Sequence, residues 1–95
     1  SGPAYVFLLA EALHDAAVAE GLPTDVASRV VSQLLVGSSA LLDRDGDPAR
    51  LRRNVTSPGG TTAAGLTAMN ETGLSESISA GVNAAHERSI ELGRA

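Results

Sequence analysis

Ninety-five residues, 43% of them hydrophobic, with 10 glycines, 4 prolines and no cysteine, describe one compact domain, too short for two of ordinary size. Without cysteine there is no disulfide framework, no thiolate metal site and no cysteine nucleophile, so stability must come from packing or from a partner chain. Seven basic residues against eleven acidic ones give −4 and a pI near 4.9, and every basic residue is arginine, which excludes a Schiff-base or Walker-type lysine and argues against a nucleic-acid or anionic-membrane surface.

Five segments with helical spacing follow one another, and none shows the sustained alternation of a strand. The first runs from Pro3, a good first-turn residue, to Glu20, with Gly21 placed as its C-terminal cap. Residues 4–10, Ala-Tyr-Val-Phe-Leu-Leu-Ala, are apolar all the way round and must be covered on every side. The chain has little with which to cover them. Its apolar residues are mostly small, sixteen Ala, twelve Leu and eight Val against one Phe, one Tyr and one Met, and a chain of this size buries little more than ~60% of its unfolded surface. A second subunit is the expected cover. The run is also far short of the ~20 residues that span a bilayer, so a soluble protein is expected. The start at Ser1-Gly2-Pro3, without an initiator Met or a leader pattern, reads as a fragment or a processed chain.

Gly21-Leu22-Pro23-Thr24 predicts a turn with Thr24 as N-cap. The second helix, Asp25 to Asp43, carries Val26, Val30, Val31, Leu34, Leu35, Leu41 and Leu42, and Gly37-Ser38-Ser39-Ala40 suits a close helix crossing. Asp43-Arg44-Asp45-Gly46 predicts a loop, and Asp47-Pro48 an N-cap and first turn opening a short helix to Asn54. After Val55 to Gly60 a fourth helix spans Thr61 to Thr72, stopped by Gly73. The fifth runs from Ser75, with Glu76 favourable to its dipole, to Gly93.

The segment with most chemical content is Thr56 to Thr62. Pro58 fixes one dihedral, Gly59 and Gly60 allow positive φ, and the chain then enters a helix, so backbone N–H groups can converge on an anion. The hydroxyls of Thr56, Ser57, Thr61 and Thr62 add donors without charge, which fits a small carboxylate or phosphate. The competing reading is a plain turn with an N-cap. Asp43-x-Asp45-Gly46-Asp47 lacks the glycine and glutamate positions of a calcium loop and reads as solvated turn acids. His14 and His86 read as partly exposed helix residues, not metal ligands or bases. Arg50, Arg52 and Arg53 read as a solvated face, Arg50 pairing with Asp47, with a phosphate contact as the alternative. The sequons at Asn54 and Asn70 are read as chance matches. On residues alone two hypotheses stand: a helical dimerisation module without chemistry, and half of an enzyme whose loop binds a small acid.

The string Val55-Thr56-Ser57-Pro58-Gly59-Gly60-Thr61-Thr62, preceded by Asp47-Pro48 and Leu51, closely resembles the signature of pyrroline-5-carboxylate reductases. Ser1-Gly2-Pro3-Ala4-Tyr5, Glu11-Ala12-Leu13, Gly21-Leu22-Pro23 and the closing Ala84-Ala85-x-x-Arg88-Ser89-x-Glu91-Leu92-Gly93 fit as well, so the likeness covers the whole chain. The resemblance implies an all-α, five-helix C-terminal domain, 6-phosphogluconate dehydrogenase C-terminal-like, that interlocks with its twin as a homodimer, often within a larger ring. It implies a cytoplasmic enzyme that reduces 1-pyrroline-5-carboxylate to L-proline, with NAD(P)H carried by an N-terminal Rossmann domain and no metal. This sequence has no Gly-x-Gly-x-x-Gly element or βαβ pattern, so residues 1–95 would be the dimerisation and substrate-binding domain alone, inactive by itself. Carried over by position, Ser57, Gly59, Gly60 and Thr61 would hold the substrate carboxylate, largely through backbone N–H groups. Thr62 would donate to the ring nitrogen, and Asn54 and Val55 would lie toward the nicotinamide. One departure is Asp47, where the family commonly has His; its N-cap role survives the change. A related imine or 2-hydroxy-acid reductase is the alternative within enzymes.

Overall fold

The computed structural model describes residues 1–94. The chain is helical throughout, in the order α1 (Gly2–Ala19), α2 (Thr24–Asp45), α3 (Pro48–Asn54), α4 (Thr61–Glu71) and α5 (Leu74–Gly93), with no strand among the described residues. The five-helix expectation holds, with shifts of one or two residues at most ends. The chain divides into two compact units, Ser1–Leu51 and Arg52 onward.

In the first unit α1 and α2 pack against each other. The reversal between them is a Schellman motif: the Gly21 N–H donates to the Val18 carbonyl at 3.0 Å and the Leu22 N–H to Ala17 at 3.1 Å. Gly21 has φ +110°, a left-handed value that disfavours any side chain, so glycine is needed at this stop. The predicted cap at the start of α2 is corrected. Pro23 occupies the N-cap position with extended backbone, Thr24 is already helical, and no side chain caps the end. Pro23 can do this because its fixed φ suits the entry, and its carbonyl takes the first helical bond, from the Ala27 N–H at 2.9 Å. Instead of capping, Thr24 offers its carbonyl to Ser28 Oγ at 3.1 Å and to His14 Nε2 at 3.3 Å, a link from α1 to the start of α2.

The acids read as a loop are largely helical. Asp43 and Asp45 belong to α2, which ends at Gly46 with its N–H on the Leu42 carbonyl at 2.8 Å. Asp47 caps α3 as predicted, its Oδ1 accepting the Arg50 N–H at 3.1 Å. Asp45 Oδ1 accepts the Asp47 N–H at 3.1 Å and lies 2.6 Å from Arg50 Nη2, so these carboxylates are spent on caps and an ion pair. The expected Arg50–Asp47 contact is present at 3.8 Å, longer than the Asp45 pair.

Very little of the apolar content is buried. Ala27 (0% exposed) and Val31 (6%), one turn apart on α2, are the buried hydrophobic residues. Phe7 (66%) and Leu8 (64%) are solvent-exposed, with Tyr5, Val6 and Leu9 beside them on the all-round apolar start of α1. At ~25 cal/mol per Å² such side chains represent several kcal/mol of burial that this chain does not obtain by itself. No helix among the described residues is long and apolar enough to cross a membrane.

The cap at Asp47 makes a stability prediction. Asp47→Ala should lower stability by about 1 kcal/mol in thermal or denaturant unfolding, whereas Asp47→Asn, which keeps the cap oxygen, should lose only a few tenths.

Candidate functional site

The loop between α3 and α4 lies wholly in the second unit. Its entry is tied down by Thr56. The hydroxyl of Thr56 donates to the Arg52 carbonyl, its N–H donates to the Arg53 carbonyl at 3.1 Å, and the Val55 N–H reaches Arg52 at 3.3 Å. These bonds satisfy carbonyls at the end of α3 that have no helical partner. They also remove the Thr56 hydroxyl from the set of donors that the sequence suggested for a ligand.

From Ser57 the chain turns back on itself. Pro58 and Gly59 are the corner residues, Gly59 has φ +72°, and the Gly60 N–H closes the turn on the Ser57 carbonyl at 3.1 Å. Proline followed by a positive-φ glycine is the type II pattern. Gly60 is glycine for a different reason. Its φ of −85° suits any residue, but a Cβ placed there would meet the Ser57 carbonyl oxygen at 3.3 Å and the Ser57 Cβ at 3.5 Å. Thus Gly59 answers a backbone demand and Gly60 a close approach.

Gly60 is the N-cap of α4, and no side chain caps that end. The helix begins with the Ala64 N–H on the Gly60 carbonyl at 3.2 Å, which leaves the amides of Thr61, Thr62 and Ala63 without acceptors among the described residues. The Ser57 and Gly59 amides and the hydroxyls of Ser57, Thr61 and Thr62 are likewise unengaged. Ser57, Gly59, Thr61 and Thr62 are exposed, Gly60 half-buried. The first turn of α4 holds no acidic residue, so the positive end of the helix dipole is unopposed locally. Such a surface suits a small anion carrying two or more acceptor oxygens.

The residues expected to meet a ligand therefore divide. Ser57, Gly59, Thr61 and Thr62 come together as available donors, while the Gly60 amide is spent within the turn and Gly60 contributes shape. Ala63, whose N–H completes the open first turn, is a residue that sequence reasoning missed. The type II pattern was the available signal for Gly60, because a Pro-Gly corner commits the following amide. Asn54 ends α3 with its side chain unbonded among the described residues, and Val55 is 67% exposed beside it.

Other chemistry-bearing groups lie elsewhere. His14 is partly exposed, with Nδ1 3.5 Å from Asp15 Oδ1. His86 lies at one end of a shallow apolar depression on α5 with Ile78 and Val82; a similar one on α2 is lined by Val26, Val30 and Leu34. Neither includes a residue of the loop. Among the described residues no three His, Cys, Asp or Glu side chains gather where they could hold a metal.

Comparison with known proteins gives one consistent answer. Residues 1–92 match the family model described as pyrroline-5-carboxylate reductase dimerisation. Pyrroline-5-carboxylate reductase of Synechocystis is 43% identical over 95 residues, covering 99% of this chain and 36% of that protein. The Pisum sativum enzyme of the same name is 44% identical, covering 97% of this chain and 34% of its own length. The crystal structure of Plasmodium falciparum pyrroline carboxylate reductase with NADP bound superposes with a TM-score of 0.87 at 37% identity, over 93% of this chain and 35% of that one. The chain thus spans about a third of the length of the curated relatives it matches.

The loop geometry can be tested in place. Gly59→Ala forces a side chain into a left-handed conformation and should cost about 1–2 kcal/mol. Amide exchange and chemical shifts should change over residues 57–62, with helical circular dichroism retained.

Proposed function

The chain belongs to the pyrroline-5-carboxylate reductase dimerisation family, and from that membership we propose that residues 1–95 act as the C-terminal dimerisation and substrate-binding domain of an enzyme reducing 1-pyrroline-5-carboxylate to L-proline. The observation that carries the reading is the cluster of unengaged donors at the Ser57–Thr62 turn, in a chain that matches the family over nearly its whole length. Backbone amides of Ser57, Gly59 and Thr61, with the Ser57 and Thr61 hydroxyls, hold the substrate carboxylate at the positive end of α4. Gly60 makes room for this by letting the turn close tightly on Ser57.

Thr62, one residue into α4, is the catalytic donor. Reduction of a cyclic imine forms a C–H bond at the imine carbon while the π pair of the C=N bond moves to nitrogen, which takes up a proton. A hydroxyl donating to that nitrogen stabilises the developing charge and relays a proton from solvent. The carboxylate contacts fix the ring, so the imine carbon is held at one distance from the hydride donor. NAD(P)H supplies the hydride when bound. Its binding falls mainly to a separate N-terminal domain, since this chain is helical throughout the described residues; Asn54 and Val55 offer only an exposed polar and apolar edge toward the nicotinamide.

The exposed α1 residues Tyr5 to Leu9 support the second part of the proposal. A second copy of the chain covers them, giving an interlocked homodimer that assembles further into a ring in the cytoplasm. The 95-residue chain by itself transfers no hydride.

Two experiments test this reading. In the full-length protein carrying the chain, Thr62→Val should lower kcat on the order of 10²-fold with little change in cofactor KM; an unaffected kcat rejects the assignment. Light scattering of the chain over a range of concentrations should give twice its 9.6 kDa mass, and a stable monomer would reject the dimer.

A further inference from the structure

One stretch of this acidic chain is basic. No Asp or Glu lies between Asp47 and Glu71, a span that contains Arg50, Arg52 and Arg53. The three arginines differ in state. Arg50 lies against Asp45 at 2.6 Å and Asp47 at 3.8 Å. Arg52 and Arg53, exposed in the last turn of α3, form no ion pair among the described residues. Their backbone carbonyls are the ones to which Val55 and Thr56 are bonded, so the roots of both side chains are fixed relative to the turn that follows. On the far side, Glu71 is ten residues beyond Thr61, about 15 Å along α4 at the usual helical rise.

We propose that Arg52 and Arg53 steer the substrate carboxylate to the start of α4 electrostatically, without ligating it. The inference rests on the proposed role of the loop and adds a specificity element to it. Fixed ligation would require two exposed, flexible side chains to give up rotamer freedom for a pair of little net strength in water. Acting at a distance has no such cost. Two positive charges roughly 10 Å from an anionic group raise its local concentration about two- to fourfold at low ionic strength. Salt weakens the effect as the screening length falls to about 10 Å at 0.1 M, and nearly removes it at 1 M, where that length is about 3 Å. The phosphates of a dinucleotide are the other candidate anion. The tether to the turn favours the carboxylate.

The test uses the full-length protein carrying this chain, assayed as the reductase at low and at high salt. Arg52→Gln with Arg53→Gln should raise the KM for the imine acid about two- to fourfold at low salt. At the same time kcat and the cofactor KM should hold, and high salt should bring variant and parent together. Arg52→Lys with Arg53→Lys should restore the parent KM, since a point charge suffices. An unmoved substrate KM, a rise that persists at high salt, a failure of the lysine pair or a rise in cofactor KM overturns the proposal. Failure of the underlying reading looks different: a protein that reduces no imine acid, or an unaffected Thr62→Val, removes substrate from the loop and overturns both.

Discussion

The hydrogen bond from the Gly60 N–H to the Ser57 carbonyl, 3.1 Å long, is the constraint on which the loop surface depends. It closes a turn that only a positive-φ residue at 59 and a side-chain-free residue at 60 accommodate without displacement. With Gly60 extended, the chain enters α4 without a capping side chain, and the first three helical amides are left open. A serine or aspartate at the N-cap would have engaged one of those amides internally. Here the unmade cap leaves polar capacity for something outside the chain, and the exposure of Thr61 and Thr62 lets water satisfy it meanwhile.

A second constraint acts on the other unit. With Ala27 and Val31 as its buried hydrophobic residues, the chain keeps a thin interior and a large apolar exterior. The α1–α2 pair is positioned by local devices: a Schellman turn, a proline entry and a bond between His14 and the Thr24 carbonyl. These set where the apolar faces point but do not cover them. On the proposed dimer, folding and association are one energetic event, because the apolar surface to be covered is on the outside.

Much of this was legible in the residues. Helix periods, Gly21 and Gly73 as stops, and Asp47-Pro48 as a start all follow from short-range chemistry, and they place five helices nearly where they lie. The apolar run at 4–10 has no polar face in any register, so its exposure in one chain was foreseeable. What was not legible was competition among nearby partners. Thr24 had the chemistry of a cap but lost the position to Pro23, whose fixed φ suits helix entry. Asp43 and Asp45 had the look of a loop, yet the helix continues through them to Gly46, and Asp45 finds an arginine five residues on. At the loop, the residue types did not reveal that Thr56 serves α3 or that the Gly60 amide serves the turn. Each amide or hydroxyl proton makes one main bond, and which bond depends on a register that composition does not encode.

The make-up of the loop has a consequence for acidity. The groups gathered from Ser57 to Thr62 are amides and hydroxyls, and neither gains nor loses a proton anywhere near neutral pH. No histidine or carboxylate belongs to that stretch. On the proposed reading, acid or alkali alters anion capture at this loop through the ligand's own protonation and not through these groups. Any bell-shaped profile of the full enzyme would then originate in the imine nitrogen or in a residue outside the loop.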